Sequence, residues 1–160
     1  MQKTHPYIAW FKHINKDDGH TVGGKGANLG EMVQAGFPVP DGFVVTVAAY
    51  QTFLNVTGIQ SKIEDLMHGL DVSDSRKLDA AARKAQQIIT GSDFPQDIAR
   101  EVIKAYFKLS GGSMKSALVA VRSSATAEDL PGASFAGQQA TFLNVSGEAN
   151  VIEKVKEAWA

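Results

Sequence analysis

The sequence contains no cysteine, which excludes disulfides, thiolate metal sites and cysteine nucleophiles within its 160 residues. It also lacks any apolar run near the roughly 18 residues of a membrane span, and no signal-peptide pattern follows Met1. An excess of one charge is missing too, since 16 basic and 17 acidic residues leave a net charge of −1. No basic field is therefore available to attract nucleic acid or anionic membranes. These absences predict a cytoplasmic protein that binds neither nucleic acid nor membranes. Any anion site in it must consist of a few specific side chains or backbone amides rather than a field of excess charge.

The residues that are present describe an ordinary globular domain, with 44 % hydrophobic and 21 % charged residues. No repeat, low-complexity segment or linker interrupts the chain, so residues 1–160 are predicted to form one domain or subdomain with a buried core. Its oligomeric state does not follow from the sequence. The last predicted helix carries Trp159 at its end, and an apolar helix end normally packs against a neighbour. We therefore expect the parent protein to continue beyond Ala160.

Apolar spacing predicts short strands at 43–46, 117–121 and 141–145, with several helices around them. The run 117–121 is almost continuously apolar, which is typical of a strand covered on both faces. The glycine-rich segment 22–26 is predicted to be a loop in front of a short helix. Together these elements predict an α+β fold.

The first candidate for chemistry is Lys25 within the sequence Gly-Gly-Lys-Gly at 23–26. Glycines let a backbone approach an anion closely, and the amide groups at a helix start point towards it. The lysine adds a mobile positive charge. The segment lacks the spacing of a P-loop, so a tight turn with an exposed lysine explains it equally well.

The second candidate is Arg122, at the end of the predicted strand 117–121. An arginine in this position needs a carboxylate, carbonyl groups or a bound anion. A planar clamp on phosphate and a structural ion pair with Glu128 or Asp129 are both compatible with the local pattern. Those two adjacent carboxylates are also a conceivable magnesium site, although such pairs are usually solvated.

The third candidate is the small-residue loop 131–139, which contains Gly137 and leads into the strand that begins at Thr141. Such a loop suits a flap whose main-chain amides cover phosphates, while a β-turn with a glycine bulge is the commoner explanation. The 4 histidines show no metal-ligand spacing and no catalytic constellation.

Taken together and in this order, the motifs identify a protein family far more specifically than any one of them does alone. The chain carries VGGKGANLGEM at 22–32, VPDGF at 39–43, AVRSSATAEDLP at 120–131, ASFAGQ at 133–138 and TFLNV at 141–145. This series resembles the N-terminal region of the phosphoenolpyruvate synthase family over essentially the whole chain. Pyruvate phosphate dikinase and rifamycin phosphotransferase are similar relatives that share this nucleotide-binding domain.

The resemblance implies the first subdomain of an ATP-grasp-like nucleotide-binding domain, with a small mixed sheet and several packed helices. ATP would lie between this subdomain and a second one, which brings the acidic ligands of Mg²⁺ from beyond Ala160. By motif, Lys25 and Arg122 would contact the ATP phosphates. Gly137 and Thr141 would belong to the phosphate-covering loop and its adjoining strand. No catalytic residue and no metal ligand is expected among residues 1–160.

The resemblance also implies the chemistry of the parent protein. Family members pass the β-phosphoryl group of ATP to a histidine on a swivelling domain and then to an acceptor. In the synthase the acceptor is pyruvate, and the products are phosphoenolpyruvate, AMP and phosphate. None of the histidines here lies in the phosphohistidine motif, so the 160 residues alone are not expected to complete the reaction. A rifamycin phosphotransferase front domain and a stand-alone nucleotide-binding module are the alternatives, and the sequence after Ala160 would separate them.

Overall fold

The computed structural model of the chain describes residues 6–71, 73–112, 116–126 and 140–160. Within these ranges lie six α-helices and four short β-strands. The helices are α1 Gly19–Gln34, α2 Val47–Thr57, α3 Gln60–Met67, α4 Ser75–Thr90, α5 Gln96–Leu109 and α6 Glu148–Trp159. The strands are β1 Ile8–Trp10, β2 Phe43–Val45, β3 Val119–Arg122 and β4 Thr141–Val145.

The helix boundaries follow from local capping chemistry. The Asp74 side chain accepts a hydrogen bond from the Lys77 amide and caps the start of α4. At the end of α1, Gly36 has a φ of 81°, its amide donates to the Val33 carbonyl, and the Phe37 amide donates to Met32. This is the Schellman arrangement, in which a glycine with positive φ follows the last turn of a helix.

The strands form two antiparallel pairs, so the predicted α+β class is confirmed and the small sheet is divided in two. β1 pairs with β2, with Ile8 opposite Val45. β3 pairs with β4, and a bulge lies between the pairs Val119–Val145 and Val121–Phe142. The extra residue is on β4, where Asn144 has a φ of 56°.

The main core lies between α2, α4, α5 and α6 and the inner faces of both strand pairs. Phe53, Ile98 and Val102 are completely buried there. Trp159 stacks on Phe94 with a centroid distance of 5.4 Å, so the end of α6 is held by aromatic contacts. A second, smaller cluster of Ile14, Val22 and Ala27 packs α1 against the segment before it.

Two local predictions were wrong. The segment 22–26 is not a loop in front of the helix, because α1 already begins at Gly19. Tertiary packing overrides the poor helix propensity of its glycines: a Cβ on Gly26 would lie 3.0 Å from the Val44 side chain, and one on Gly30 would overlap Ile14. β3 is not covered on both faces within the described residues, since Ala120 and Arg122 are exposed.

Candidate functional site

A break in α1 lies at the centre of the site. Gly23 interrupts the helix with a φ of 73° and a ψ of 166°, a combination that is open essentially only to glycine. A Cβ on this residue would overlap the carbonyl oxygen and the Oγ of Ser124. Both the backbone conformation and the lack of space therefore require glycine at position 23. The loop predicted from the sequence is in fact this one-residue break.

The segment after β3 binds directly to the break. The Gly26 amide donates to Ser124 Oγ at 3.0 Å, and Ser124 Oγ donates to the Val22 carbonyl oxygen at 2.9 Å. The Gly24 amide donates to the Ala125 carbonyl oxygen at 3.1 Å. These contacts join the first and second candidate motifs, which are 98 residues apart between Gly26 and Ser124.

The same contacts correct one argument made from the sequence. The amides of Gly24 and Gly26 were expected to point towards a bound anion, yet both donate to acceptors in the protein. A helix start leaves its first amides without intrahelical partners, and here the chain itself supplies two of the acceptors. An anion at this site would therefore be met chiefly by side chains rather than by these two amides.

Arg122 and Thr141 are directly opposite each other across the β3–β4 pair. The Ser123 amide donates to the Ala140 carbonyl oxygen at 3.0 Å and continues the pairing beyond them. Opposite residues in an antiparallel pair present their side chains on the same face, with Cβ atoms roughly 5 Å apart. Both side chains are exposed, while Val121 and Phe142 pack inward on the core.

The Arg122 guanidinium makes no ion pair with a carboxylate in the part of the chain that the structure describes. The alternative partners Glu128 and Asp129 lie outside the described residues, so an ion pair between Arg122 and either of them stays a prediction. A guanidinium carries five N–H donors in a planar fork that matches a phosphate or carboxylate. Its exposure on the outer face leaves this fork accessible to an anion.

Lys25 is half-buried in the first turn after the break in α1. It stands between Gly24 and Gly26, the two residues bound by Ala125 and Ser124. Arg122 precedes Ser124 by two residues, a stretch that spans at most about 7 Å of extended chain. The structure thus brings Lys25, Arg122 and Thr141 into one neighbourhood. Gly137, the fourth predicted site residue, lies outside the described residues.

Ser124 is the residue at this site whose role the sequence did not reveal. One signal was available: the helical segment after Gly23 has no Ser, Thr, Asp or Asn as its own N-cap, so its first amides need acceptors from elsewhere. The distance between the two motifs is not contained in the sequence, since only the fold establishes it.

Metal-binding clusters and membrane spans are both absent from the described ranges. No group of three or more His, Asp or Glu residues there could hold a metal ion. Among the same residues, no helix combines the length and the apolar character needed to cross a membrane.

Comparison with protein families gives one match over most of the chain. Residues 19–160 match the family described as pyruvate phosphate dikinase, AMP/ATP-binding domain. The matched range contains α1, the Gly23 break, both strands of the β3–β4 pair and all four predicted site residues.

Individual relatives are similar over nearly the whole chain. The chain is 54 % identical over 152 residues to a protein of Archaeoglobus fulgidus named "Probable phosphoenolpyruvate synthase", which covers 95 % of this chain and 20 % of the relative. It is 48 % identical over 155 residues to a protein of the same name from Methanothermobacter thermautotrophicus, and this match covers 96 % of this chain and 23 % of the relative. It is 44 % identical over 159 residues to the phosphoenolpyruvate synthase of Helicobacter pylori, covering 96 % and 20 %. The chain thus spans about a fifth of the length of the curated relatives it matches.

Proposed function

The chain belongs to the pyruvate phosphate dikinase, AMP/ATP-binding domain family, and from this premise we propose that Lys25 and Arg122 bind the phosphates of ATP. Thr141 and Gly137 would belong to the strand and loop that adjoin those phosphates. One observation carries the proposal: the hydrogen bonds of Ser124 and Ala125 hold the helical turn of Lys25 against the end of the strand that carries Arg122.

The side chains of Lys25, Arg122 and Thr141 are of types that can bind phosphate during phosphoryl transfer. The reaction needs mainly positioning of the phosphates and neutralisation of their charge. The Arg122 guanidinium offers a planar fork for two phosphate oxygens, whereas the Lys25 ammonium is a compact charge that follows a single oxygen. The Thr141 hydroxyl, opposite Arg122, is a further donor on the same exposed face.

At the scale of the parent protein we propose a phosphoenolpyruvate synthase. It would phosphorylate pyruvate with ATP and water, and would give AMP and phosphate by way of a phosphohistidine carried outside residues 1–160. This chain would be the N-terminal part of an ATP-grasp-like ATP-binding domain in a cytoplasmic enzyme. The Mg²⁺ ligands would come from outside these residues.

The names of the relatives support the synthase over a rifamycin phosphotransferase, because the three described above are named phosphoenolpyruvate synthase or probable phosphoenolpyruvate synthase. The two alternatives share this front domain and differ in their C-terminal domains. A pyruvate-binding barrel encoded after the phosphohistidine domain would support the synthase, and its absence from the parent gene would reject it.

Calorimetric titration of the 160-residue chain with ATP tests the site. We expect measurable binding by the unmodified chain. Arg122→Ala and Lys25→Ala should each weaken binding by roughly ten- to a hundredfold, since hydrogen bonds to charged groups are worth about 1.5–3 kcal/mol.

Arg100→Ala is the matched control. Arg100 is also an exposed arginine, on α5, where its only ion pair in the described chain is a 3.6 Å contact with Asp97. Its removal takes away the same charge from a helix that carries none of the proposed site residues, so ATP affinity should stay within about twofold. Equal affinities in the unmodified chain, Lys25→Ala and Arg122→Ala would overturn the site assignment, and so would equal losses in Arg122→Ala and Arg100→Ala.

A further inference from the structure

The Ser124 hydroxyl uses both of its hydrogen-bonding functions on the break in α1. As an acceptor it takes the Gly26 amide at 3.0 Å, and as a donor it binds the Val22 carbonyl oxygen at 2.9 Å. These two partners lie on opposite sides of Gly23, so one hydroxyl bridges the interruption in the helix. Ser124 therefore acts as a capping residue supplied from a distant part of the chain.

The bridge also determines where two charged side chains stand relative to each other. Lys25 is flanked by Gly24 and Gly26, whose amides are bound by Ala125 and Ser124 respectively. Arg122 lies two residues before Ser124 and is fixed in turn by its pairing with Thr141 on β4. The Ser124 contacts thus connect the lysine turn to the arginine strand.

We propose that Ser124 is a positioning residue of the nucleotide site, which sets the separation of Lys25 and Arg122 by locking the Gly23 break to the end of β3. The inference rests on the proposed function of those two residues as phosphate contacts. Two cations that bind one polyphosphate chain must be held at a spacing that matches it, because misplacement of a binding group by about 1 Å already costs affinity or rate. Ser124 provides that spacing without contacting the nucleotide through its hydroxyl.

The variant that tests this role is Ser124→Ala, which removes the hydroxyl without substituting Lys25 or Arg122. ATP affinity, measured by calorimetry on the 160-residue chain, should fall by about three- to tenfold, as expected for the loss of hydrogen bonds worth about 1 kcal/mol in net terms.

Ser110→Ala is a close control. Ser110 Oγ donates to the Tyr106 carbonyl oxygen at 3.0 Å and accepts from the Ala117 amide at 3.1 Å, at the opposite end of β3. It therefore makes the same pair of bonds in a half-buried setting. We expect a similar loss of thermal stability in both serine variants, with ATP affinity unchanged in Ser110→Ala. Equal losses of affinity in the two would overturn the inference, because the effect would then be one of general stability.

A double-variant cycle separates positioning from simple structural support. If Ser124 acts through Lys25, then Ser124→Ala should cost less than about twofold in a chain that already carries Lys25→Ala. An undiminished cost in that background, or no cost in the unmodified background, would overturn the inference while leaving the phosphate contacts standing.

Amide hydrogen exchange, followed by NMR, gives a readout that does not depend on ATP. In Ser124→Ala the amides of Gly24 and Gly26 should both exchange at least about tenfold faster, whereas Ser110→Ala should leave them unchanged. Retained protection at both glycines would contradict the bridge itself. Failure of the unmodified chain to bind ATP would instead remove the proposed function, and the positioning role with it, whatever the exchange rates.

Discussion

At the scale of single residues, the backbone of Gly23 imposes the strictest requirement in the site. Its φ of 73° and ψ of 166° lie in a region that residues with a Cβ avoid, and its α-carbon faces Ser124 without room for a methyl group. Gly58 has a comparable φ of 65° at the end of α2, but an added Cβ there would meet nothing within 4 Å. The two glycines differ in ψ as well, since the ψ of 19° at Gly58 belongs to the ordinary left-handed region.

This contrast gives a stability prediction. Gly23→Ala should lower the free energy of unfolding by about 3 kcal/mol or more, because backbone strain adds to the overlap with Ser124. Gly58→Ala should cost only about 1 kcal/mol, the left-handed penalty alone. Urea unfolding followed by Trp fluorescence measures both values. A loss at Gly23 no greater than that at Gly58 would contradict the close contact with Ser124.

Among single residues, the candidate anion contacts could be predicted from the sequence, whereas the contacts between distant parts of the chain could not. Residue type and position made Lys25 and Arg122 candidate anion contacts and left a structural explanation open for each. The family resemblance assigned both to the ATP phosphates, and that assignment stays a prediction. The partner of the glycine segment was not predictable, because Ser124 is separated from Gly26 by 98 residues and no local rule encodes such a contact. For the same reason the occupation of the Gly24 and Gly26 amides was missed.

At the scale of secondary-structure elements, Tyr106 connects three of them. Its side chain is 2 % exposed, and its hydroxyl donates to the Ala117 carbonyl oxygen at 2.6 Å and accepts from the Gly147 amide at 3.0 Å. Ala117 precedes β3 and Gly147 caps α6, so one hydroxyl ties α5 to the beginnings of both.

Tyr106→Phe should therefore destabilise the fold by about 1–3 kcal/mol, because it leaves the half-buried Ala117 carbonyl and Gly147 amide without their partner. Tyr50→Phe is the matched control: the Tyr50 hydroxyl makes no hydrogen bond to another described residue, although its ring contacts Trp159 at 5.5 Å. The urea midpoint should fall clearly in the first variant and hardly move in the second. Equal midpoints for the two would contradict the tie at Tyr106.

Most elements were predictable because their signals are local. The start of α4 at Asp74, the end of α1 at Gly36 and the end of α2 at Gly58 all follow from capping rules. The start of α1 at Gly19 was not, since a segment so rich in glycine is a poor helix former by itself. Its helix depends on packing against Ile14 and Val44, which belongs to the tertiary structure.

At the scale of the whole molecule, the described residues place Arg122 and Thr141 on one exposed face of the β3–β4 pair, and Lys25 in the helical turn that Ser124 and Ala125 bind. The same residues contain no group of carboxylates or histidines suited to a metal. We propose that the Mg²⁺ ligands and the phosphohistidine of the parent reaction lie outside residues 1–160. The α+β class was predictable from the alternation of apolar runs. The division of the strands into two separate pairs was not, because pairing depends on contacts between distant segments.

We therefore expect the purified 160-residue chain to bind ATP without turning it over. Incubation with ATP, Mg²⁺ and pyruvate should give no AMP and no phosphoenolpyruvate above a blank without protein, as measured by chromatography. A chain that carries His13→Gln, His20→Gln and His68→Gln should behave identically. Appreciable phosphoenolpyruvate formation by the unmodified chain would mean that the acceptor site and the phosphohistidine lie within these residues.

A nitrogen-15 NMR titration of the 160-residue chain with ATP tests the phosphate site most directly, because it reports on every backbone amide at once. The largest chemical-shift changes should fall on Lys25, Arg122 and Thr141, and inorganic tripolyphosphate should reproduce them without the base. Changes concentrated instead around the groove lined by Lys62, Asp93 and Gln96, or no changes at all, would show that Lys25 and Arg122 do not bind the phosphates of ATP.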